Sequence, residues 1–313
     1  MTPERSVGKL NHLAVNFRES MTVQIFTEPL VAIGGLGGSG TRVFAATLQA
    51  AGIALGRRLN TPLDNLWFTV LFKRAAWSRT APNPSEVVAA ADLFVRAMTI
   101  GLRDSLTPEE RTLLQQLRAD LPPLGAWQCG ATVEDANSLI DSGPANLTAA
   151  QFWGWKEPNT HIFLPQLATR FPHMRYIHVV RDGLDMAFSA NTWQARHWSH
   201  IYGLTIESDT PLRLHQLHYW IAANRAALDY GSAHMGDRFI AISYEDYCRQ
   251  PEWYWPRLRR FLGLEPTISF PQDLLRPTTI GRSRDHDLSL FPAELLTLTR
   301  AVQADVMAFN RLE

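Results

Sequence analysis

Glycines, hydroxyls and a single arginine are concentrated in the sequence GGLGGSGTR, which spans residues 34–42. An apolar, β-branched stretch precedes these residues and apolar residues at helical spacing follow them, so the pattern predicts a strand, a glycine loop and a helix. Glycines in such a loop let the backbone approach an anion, and the free N–H groups of the helix N-terminus point toward it. The stretch therefore predicts a loop that binds a dinucleotide, a nucleoside triphosphate or another anionic cofactor.

The letters of residues 35–40 match G-x-G-x-x-G, the pattern of dinucleotide-binding folds. Such a fold needs a second strand that ends in an acid about 20 residues later. The chain instead has Arg57 and Arg58 there, followed by a helical pattern, and this arginine pair keeps NADP open as a ligand. A Walker A loop would need Lys and then Ser or Thr after the last glycine, where Thr41 and Arg42 stand. An ordinary NTPase is therefore not expected.

A second constellation lies in the strand-like segment RYIHVV and the residues that follow it. Arg181 comes directly after this segment, and Asp182 and Gly183 begin a predicted helix that carries Ser189. The eight residues from Arg181 to Ser189 correspond to about two helical turns. Arginine and serine can then face one phosphate in the crevice at the carboxyl ends of parallel strands.

Lysine is rare in this chain, in which arginine supplies most of the positive charge. The three lysines are Lys9, Lys73 and Lys156, and Lys156 ends the strand-like segment QFWGWK. An ammonium group at a strand end beside the glycine loop can stabilise negative charge on a leaving group. Lys156 is therefore a candidate catalytic residue.

The elements that must position these residues follow an α/β pattern. Strand candidates alternate with helical segments in the second half of the chain, which predicts a parallel sheet with helices on both faces. Residues 61–150 are predicted to be mostly helical, and Thr107–Glu110 carries a clear helix-start signal. We expect a loose polar lead-in over residues 1–20 and one α/β domain over residues 21–313, with a helical insertion at about 61–150.

The composition is that of an ordinary globular protein, with 46% hydrophobic residues and zero net charge. A neutral chain is not expected to bind nucleic acid or a membrane surface. The two cysteines, Cys129 and Cys248, form neither a disulfide framework nor a zinc site, and no histidine cluster completes a metal site. The N-terminus lacks a signal-peptide pattern, and no apolar run approaches the ~20 residues of a membrane span. We therefore expect a soluble, cytoplasmic protein without a metal.

Four motifs, taken in order along the chain, resemble the PAPS-dependent sulfotransferases, most closely the tyrosylprotein sulfotransferase-like branch. The stretch WKEPNTHIFLPQLATRFPHMRYIHVVRDGLDMAFSA is similar to the strand, helix and strand that carry that family's 3′-phosphate segment. GGLGGSGTR is similar to its 5′-phosphosulfate loop, YEDYCRQPEWYWPRLRRFLGL to its Y-E-D and FLGL stretch, and IGRSR to its basic C-terminal loop. The resemblance implies a P-loop-like parallel sheet flanked by helices, PAPS as the co-substrate and PAP as the product.

The resemblance also assigns roles to residues of this chain. The 5′-phosphosulfate would be held by Gly37, Gly38, Ser39, Gly40, Thr41 and Arg42. Arg181 and Ser189 would hold the 3′-phosphate, with Arg282 and Arg284 as a second clamp. Lys156 would stabilise the leaving PAP during in-line transfer to an acceptor hydroxyl or amine.

Two further catalytic assignments concern a missing charge and a base. The family usually has Lys or Arg immediately before Ser-Gly-Thr, whereas this chain has Gly38, so Arg42 or Lys156 is expected to supply the charge. The acceptor must lose a proton, and Asp64 is the nearest candidate base after the first helix, with His161 and His197 as alternatives.

Three functions therefore stay open at the level of the sequence: a sulfotransferase, a non-catalytic PAPS- or PAP-binding protein on the same scaffold, and an NADP-dependent oxidoreductase. The sequence does not specify the acceptor, which could be a protein tyrosine, a carbohydrate, a lipid or a small phenol. The aromatic segment 191–203 either lines an acceptor pocket or packs in the core. The sequence does not specify the oligomeric state either.

Overall fold

Four parallel strands form the sheet that carries the glycine loop and the strand-end residues. The computed structural model describes residues 30–145, 153–205, 209–267, 275 and 280–309. The strands are β1 (Leu30–Gly35), β2 (Trp153–Lys156), β3 (Arg175–Val180) and β4 (Phe239–Ser243), in the order β2-β1-β3-β4. In the register, Ile33 of β1 pairs with Lys156 on one side and Ile177 on the other. The predicted α/β fold with a parallel sheet is thus confirmed.

The strands read as nearly continuous apolar runs because helices cover both faces of the sheet. All six residues of β1 and all four of β2 are buried. Of the predicted strand QFWGWK, Gln151 and Phe152 lie outside the described residues. The predicted lead-in over residues 1–20 also lies outside them, so that expectation stays a prediction.

Five helices lie in the described residues between β1 and β2. They are α1 (Thr41–Ala50), α2 (Leu66–Phe72), α3 (Pro84–Met98), α4 (Pro108–Asp120) and α5 (Val133–Ile140). The helix start predicted near Thr107 is confirmed, because the Thr107 side chain accepts from Glu110 N–H and the Glu110 carboxylate accepts from Thr107 N–H. This reciprocal cap satisfies two N–H groups that have no partner inside the helix.

Seven helices follow β2 in the described residues. They are α6 (Leu164–Arg170), α7 (Gly183–Ala187), α8 (Trp193–Trp198), α9 (Leu212–His234), α10 (Tyr244–Arg249), α11 (Pro251–Leu262) and α12 (Ala293–Phe309). The helix predicted over PNTHIFLPQLATRF is divided, since Pro158–Phe163 forms a 3₁₀ helix and α6 begins only at Leu164. Pro165 lies in the first turn of α6, where its missing N–H removes no hydrogen bond.

The two faces of the sheet bury separate apolar clusters. On one face, α2 and α3 pack against Trp155 through Phe68 and Phe94, whose ring centroids lie 5.9 and 5.3 Å from that of Trp155. On the other face, α1, α10 and α11 cover apolar side chains of β1, β3 and β4, including Ile33 and Ile177. Each fully buried apolar side chain of this kind contributes about 1.5–3 kcal/mol. This packing fixes the carboxyl ends of the strands relative to α2.

Candidate active site

The glycine loop turns tightly from β1 into α1. Gly38 and Gly40 have φ angles of 102° and 91°, in the left-handed region that favours glycine. A Cβ atom on Gly40 would lie 2.1 Å from a ring carbon of Tyr244, so the loop and α10 are in direct contact. Ser39 N–H donates to the Leu36 carbonyl at 2.9 Å and closes the turn. The backbone shape thus depends on glycine at these two positions.

The end of the loop can receive an anion. No side chain caps the N-terminus of α1 and its first turn carries no acid, so no side chain neutralises the positive end of the helix dipole there. Among the described residues, the buried Ser39 hydroxyl has no hydrogen-bond partner. The buried Thr41 adds a second hydroxyl at the helix start. These unfilled donors fit a phosphosulfate group.

The Gly37 N–H, which is expected to contact the ligand, instead donates to a side chain of the protein. Gly37 N–H donates to the side-chain oxygen of Gln194, which lies on α8, at 2.6 Å. This contact attaches the glycine loop to α8. Gln194 carries no sequence signal beyond its place in the aromatic segment after Ser189, and the sequence analysis did not identify it.

Arg181 and Ser189 both reach the glycine loop. The Arg181 guanidinium donates to the Gly38 carbonyl at 3.2 Å, and the Asp185 and Glu245 carboxylates lie 3.7 and 3.8 Å from its nitrogens. The expectation that Ser189 lies on the helix is wrong, because α7 ends at Ala187 and a tighter turn follows, in which Ser189 N–H donates to the carbonyl three residues earlier. The Ser189 hydroxyl still lies 3.7 Å from the Cβ position of Gly38.

The basic loop near the C-terminus is docked on α7. Asp185 accepts from the N–H groups of Gly281 and Ser283 at 2.7 and 2.8 Å. Burial opposes ionisation of Asp185, but these two donors and the Arg181 charge outweigh it and lower the pKa of this carboxyl. The half-buried Arg282 donates to the Asp185 carbonyl at 3.5 Å, whereas Arg284 is exposed. Of the two predicted clamp residues, the structure holds Arg282 close to α7.

Lys156 and Asp64, two of the predicted catalytic residues, form a direct ion pair. The Lys156 ammonium donates to the Asp64 carboxylate and, at 3.0 Å, to the Pro62 carbonyl. The Lys156 side chain is 2% exposed and that of Asp64 is 19% exposed, so the pair is buried on one side and reachable through Asp64 on the other. The positive charge at the end of β2 is thereby held in one place.

Asn65 positions this pair and was missed by the sequence analysis. Its N–H donates to the Lys156 carbonyl at 2.8 Å, which ties the turn before α2 to β2. Its side-chain oxygen accepts from the N–H groups of Trp67 and Phe68 and so caps α2. An asparagine just before an apolar helical run is a typical N-cap signal, and it could have identified this residue. The cap thereby fixes where α2 begins, directly after Asp64 and Asn65.

Glu157 and Lys73 form a second ion pair beside the first. Lys73 follows the last residue of α2, and its ammonium lies 3.8 Å from the Glu157 carboxylate. Burial raises the pKa of Glu157; the Lys73 charge opposes this effect and the Asp64 charge adds to it. Lys73, Glu157, Asp64 and Lys156 therefore form a cluster of alternating sign at the end of β2.

Comparison with protein families identifies the family of this chain. Residues 29–267 match a family described as the sulfotransferase family. The chain belongs to the sulfotransferase family. The predicted membership of the family is thus confirmed, whereas the tyrosylprotein sulfotransferase-like branch stays a prediction. As a member of this family, the protein is a transferase.

Solved structures of sulfotransferases are similar to this chain at low sequence identity. The sulfotransferase domain of the Synechococcus PCC 7002 olefin synthase is 19% identical, covers 90% of this chain and 93% of its own, and has a TM-score of 0.42. The sulfotransferase from Alicyclobacillus acidocaldarius is 14% identical, covers 92% of this chain and 97% of its own, and has a TM-score of 0.46. The sulfotransferase STF1 from Mycobacterium tuberculosis H37Rv is 12% identical, covers 93% of this chain and 80% of its own, and has a TM-score of 0.42. A comparison with curated protein sequences finds no match.

The alternative bases differ from Asp64 in their surroundings. His161 is buried, donates from Nδ1 to the Pro158 carbonyl at 2.8 Å, and burial lowers its pKa to about 4. His197 is half-buried between the rings of Trp127 and Trp193, and burial together with the charges of Lys73 and Arg196 lowers its pKa. Neither histidine makes a hydrogen bond with Lys156 in the described parts of the chain. Asp64 is the candidate that pairs with it directly.

In this sulfotransferase, Arg42 and the pair Arg57 and Arg58 make no hydrogen bond or ion pair with the other candidate site residues in the described part of the chain. Arg42 is exposed on α1 and makes no hydrogen bond or ion pair with the part of the chain that is described, so its catalytic role stays a prediction. Arg57 donates to the Gly143 carbonyl at 2.7 Å, and Arg58 pairs with Asp135 at 2.6 Å. Within residues 51–145 no strand follows α1, so the second strand of a dinucleotide fold is absent there. The arginine pair stabilises the helical segment.

Within the described ranges, no group of three or more His, Cys, Asp and Glu side chains is arranged to hold a metal ion. Cys129 and Cys248 are free thiols. No helix in those ranges is both long and apolar enough to cross a bilayer.

Proposed function

We propose that this sulfotransferase moves a sulfuryl group from PAPS to an acceptor hydroxyl or amine. One observation carries the proposal: groups from two distant segments of the sequence meet around Gly38. The N-terminus of α1 follows it, Arg181 donates to its carbonyl at 3.2 Å, and the Ser189 hydroxyl lies 3.7 Å from its Cβ position. Backbone N–H groups, a guanidinium and a hydroxyl are suitable ligands for a nucleotide that carries phosphates at two positions.

The roles of the residues follow from charge and reach. PAPS supplies the sulfuryl group, which leaves PAP behind when its bond to the phosphate oxygen breaks. Lys156 neutralises the negative charge that develops on that oxygen, because an ammonium in a dry site acts strongly on nearby charge. Asp64 accepts the proton of the acceptor while the new bond to sulfur forms. Its ion pair with Lys156 holds this carboxylate in one orientation until the acceptor binds.

Gly38 favours a second function, a PAPS- or PAP-binding protein without transfer activity. This residue replaces the charge that the family resemblance leads us to expect beside the transferred group. Binding and turnover must therefore be measured separately.

The first experiment measures nucleotide binding by thermal denaturation. We expect PAP at saturating concentration to raise the Tm by about 3 °C or more, since a ligand that binds only the folded state stabilises it. Arg181→Ala should abolish this shift, while Arg79→Ala, an exposed arginine outside the site, should leave it unchanged. NADPH should produce no shift. A wild-type protein that does not respond to PAP would overturn the proposal.

The second experiment measures transfer of label from PAPS to a panel of tyrosine peptides, sugars, lipids and phenols. Lys156→Ala should keep the PAP-induced shift and lower kcat about 100-fold or more. Asp64→Asn should also lower kcat by about 100-fold, because it removes the base and the partner of Lys156. If PAP binds but no acceptor in the panel is labelled by the wild type, the binding-protein alternative is supported instead.

A further inference from the structure

The missing charge at Gly38 cannot be restored at that position without strain. Its φ of 102° is a conformation that L side chains rarely adopt, so glycine is required by the loop and not merely tolerated. If the transfer reaction needs a second cation besides Lys156, another residue must supply it. The candidates are the cations close to the carboxyl ends of β1 and β2.

Arg42 and Arg181 are less suitable than Lys73 for this role. Arg42 is exposed on α1. Arg181 is surrounded by Asp185, Glu245 and the Gly38 carbonyl, on the side of the loop that faces β3. Lys73, in contrast, lies on the β2 side of the site, close to Lys156 and Asp64 through its ion pair with Glu157.

The Lys73 ammonium is held in place by its neighbours, but its hydrogen-bond donors are unused in the described parts of the chain. It lies 3.8 Å from the Glu157 carboxylate, beyond hydrogen-bond distance, and 4.1 Å from the centre of the Trp193 ring. Its side chain is 12% exposed, and Nζ donates no hydrogen bond to any residue in the described parts of the chain. Three N–H donors on a partly dry cation are therefore available to an anionic oxygen.

A chain of hydrogen bonds fixes Glu157, the counter-ion of Lys73, relative to the glycine loop. The buried Glu157 carboxylate accepts from the Asn159 N–H at 2.6 Å and from its side-chain amide at 2.9 Å. The Asn159 side-chain oxygen accepts from Gln194 at 2.9 Å, and Gln194 accepts from Gly37 N–H at 2.6 Å. The counter-ion of Lys73 is thus anchored to the same loop that is expected to hold the phosphosulfate.

We infer that Lys73 is the second catalytic cation of this sulfotransferase and contacts the oxygens of the transferring sulfuryl group, in place of the charge absent at Gly38. This inference rests on the proposed function. Lys73 takes part in no covalent step: it neutralises negative charge on the sulfuryl oxygens, while the proton of the acceptor goes to Asp64. Two of the three lysines of the chain then serve one reaction.

The test compares the affinities for PAPS and PAP, which differ only in the sulfuryl group, by isothermal titration without an acceptor. Lys73→Met should weaken PAPS binding about tenfold and leave PAP binding within about twofold. Lys73→Arg keeps the charge and should retain most of the preference for PAPS. Arg79→Met removes a positive charge at an exposed residue outside the site and should alter neither affinity.

The outcomes separate the inference from the proposed function. If Lys73→Met leaves the ratio of the two affinities unchanged and raises only the KM of the acceptor, Lys73 binds the acceptor and the inference is overturned. If the wild type binds neither nucleotide, the proposed function fails and the inference fails with it. Should Lys73→Met fold poorly, Lys73→Gln compared with Lys73→Arg decides, since both keep a polar end group.

Discussion

At the scale of a single residue, Gly38 provides the backbone conformation of the loop but carries no charge. The resemblance to sulfotransferases leads us to expect a cation at this position, but the left-handed φ of 102° accepts glycine best. Space is not the obstacle, because a Cβ atom there would meet the Met186 and Ser189 side chains only at 3.6 and 3.7 Å. The loop therefore keeps its hydroxyls and N–H groups for binding, and positive charge comes from residues outside it.

Gly38→Lys is expected to destabilise the protein by about 1 kcal/mol and to give no increase in kcat. The cost arises from the backbone, so Gly38→Ala, which has the same strain without the charge, should be equally destabilised. Denaturant unfolding and turnover of PAPS measure the two effects. A kcat several-fold higher for the lysine variant than for the alanine variant would show that the missing charge does limit catalysis.

At the scale of secondary structure, short elements position the candidate site residues. The five-residue helix α7 joins Arg181 to Ser189, and through Asp185 it also binds the turn Arg282–Asp285. One buried carboxylate thereby links the predicted 3′-phosphate residues to the predicted basic clamp. The pKa of Asp185 is lowered by these donors, so the link persists as the pH falls below the usual range of an aspartate and is lost only when the lowered pKa is reached.

Asp185→Ala is expected to release the turn at residues 282–285. Two N–H groups lose a charged acceptor, which costs about 1.5–3 kcal/mol per bond in a buried setting. Trypsin should then cleave after Arg282 and Arg284 several-fold faster, and the affinity for PAP should fall. Asp287→Ala, which changes an exposed acid near the same turn, is the control and should leave the cleavage rate unchanged. Equal cleavage rates in all three proteins would contradict the docking.

Buried histidines govern the response of the whole molecule to acid. His161 and His178 are buried, and burial lowers their pKa values to about 4 and about 3. In the unfolded chain a histidine titrates at about 6.5, so between these values the unfolded state binds more protons. The stability that both residues contribute is fully present above about pH 6.5 and is lost as the pH falls toward the folded pKa.

We expect the free energy of unfolding to fall by about 2 kcal/mol per buried histidine between pH 6.5 and pH 5. His161→Gln removes one of these two groups and should reduce the slope of stability against pH in this window. His173→Gln, at an exposed histidine, should leave the slope unchanged. Urea unfolding at a series of pH values measures this slope, and a variant that keeps the full slope would contradict the assignment.

Local patterns in the sequence determined the elements of the fold, because their signals lie within one turn or one strand. The glycine loop after β1, the cap at Thr107 and the strand ending before Arg181 are of this kind. The same patterns identified Lys156 as a strand-end cation. They failed at Ser189 and over Pro158–Phe163, where only the packing decides whether a short helix continues or tightens.

The pairing of charges was decided by tertiary structure alone. Asp64 lies 92 residues from Lys156 in the sequence, and Gly37 lies 157 residues from Gln194, so no local pattern specifies either contact. They form because α2 packs on the sheet beside β2 and α8 packs beneath the loop. The sequence by itself therefore determined the strand, the glycine loop and the helix that are predicted to bind an anion. Only the packing of distant segments decided which cations and carboxylates surround it, since opposite charges stay buried only where the fold brings them together.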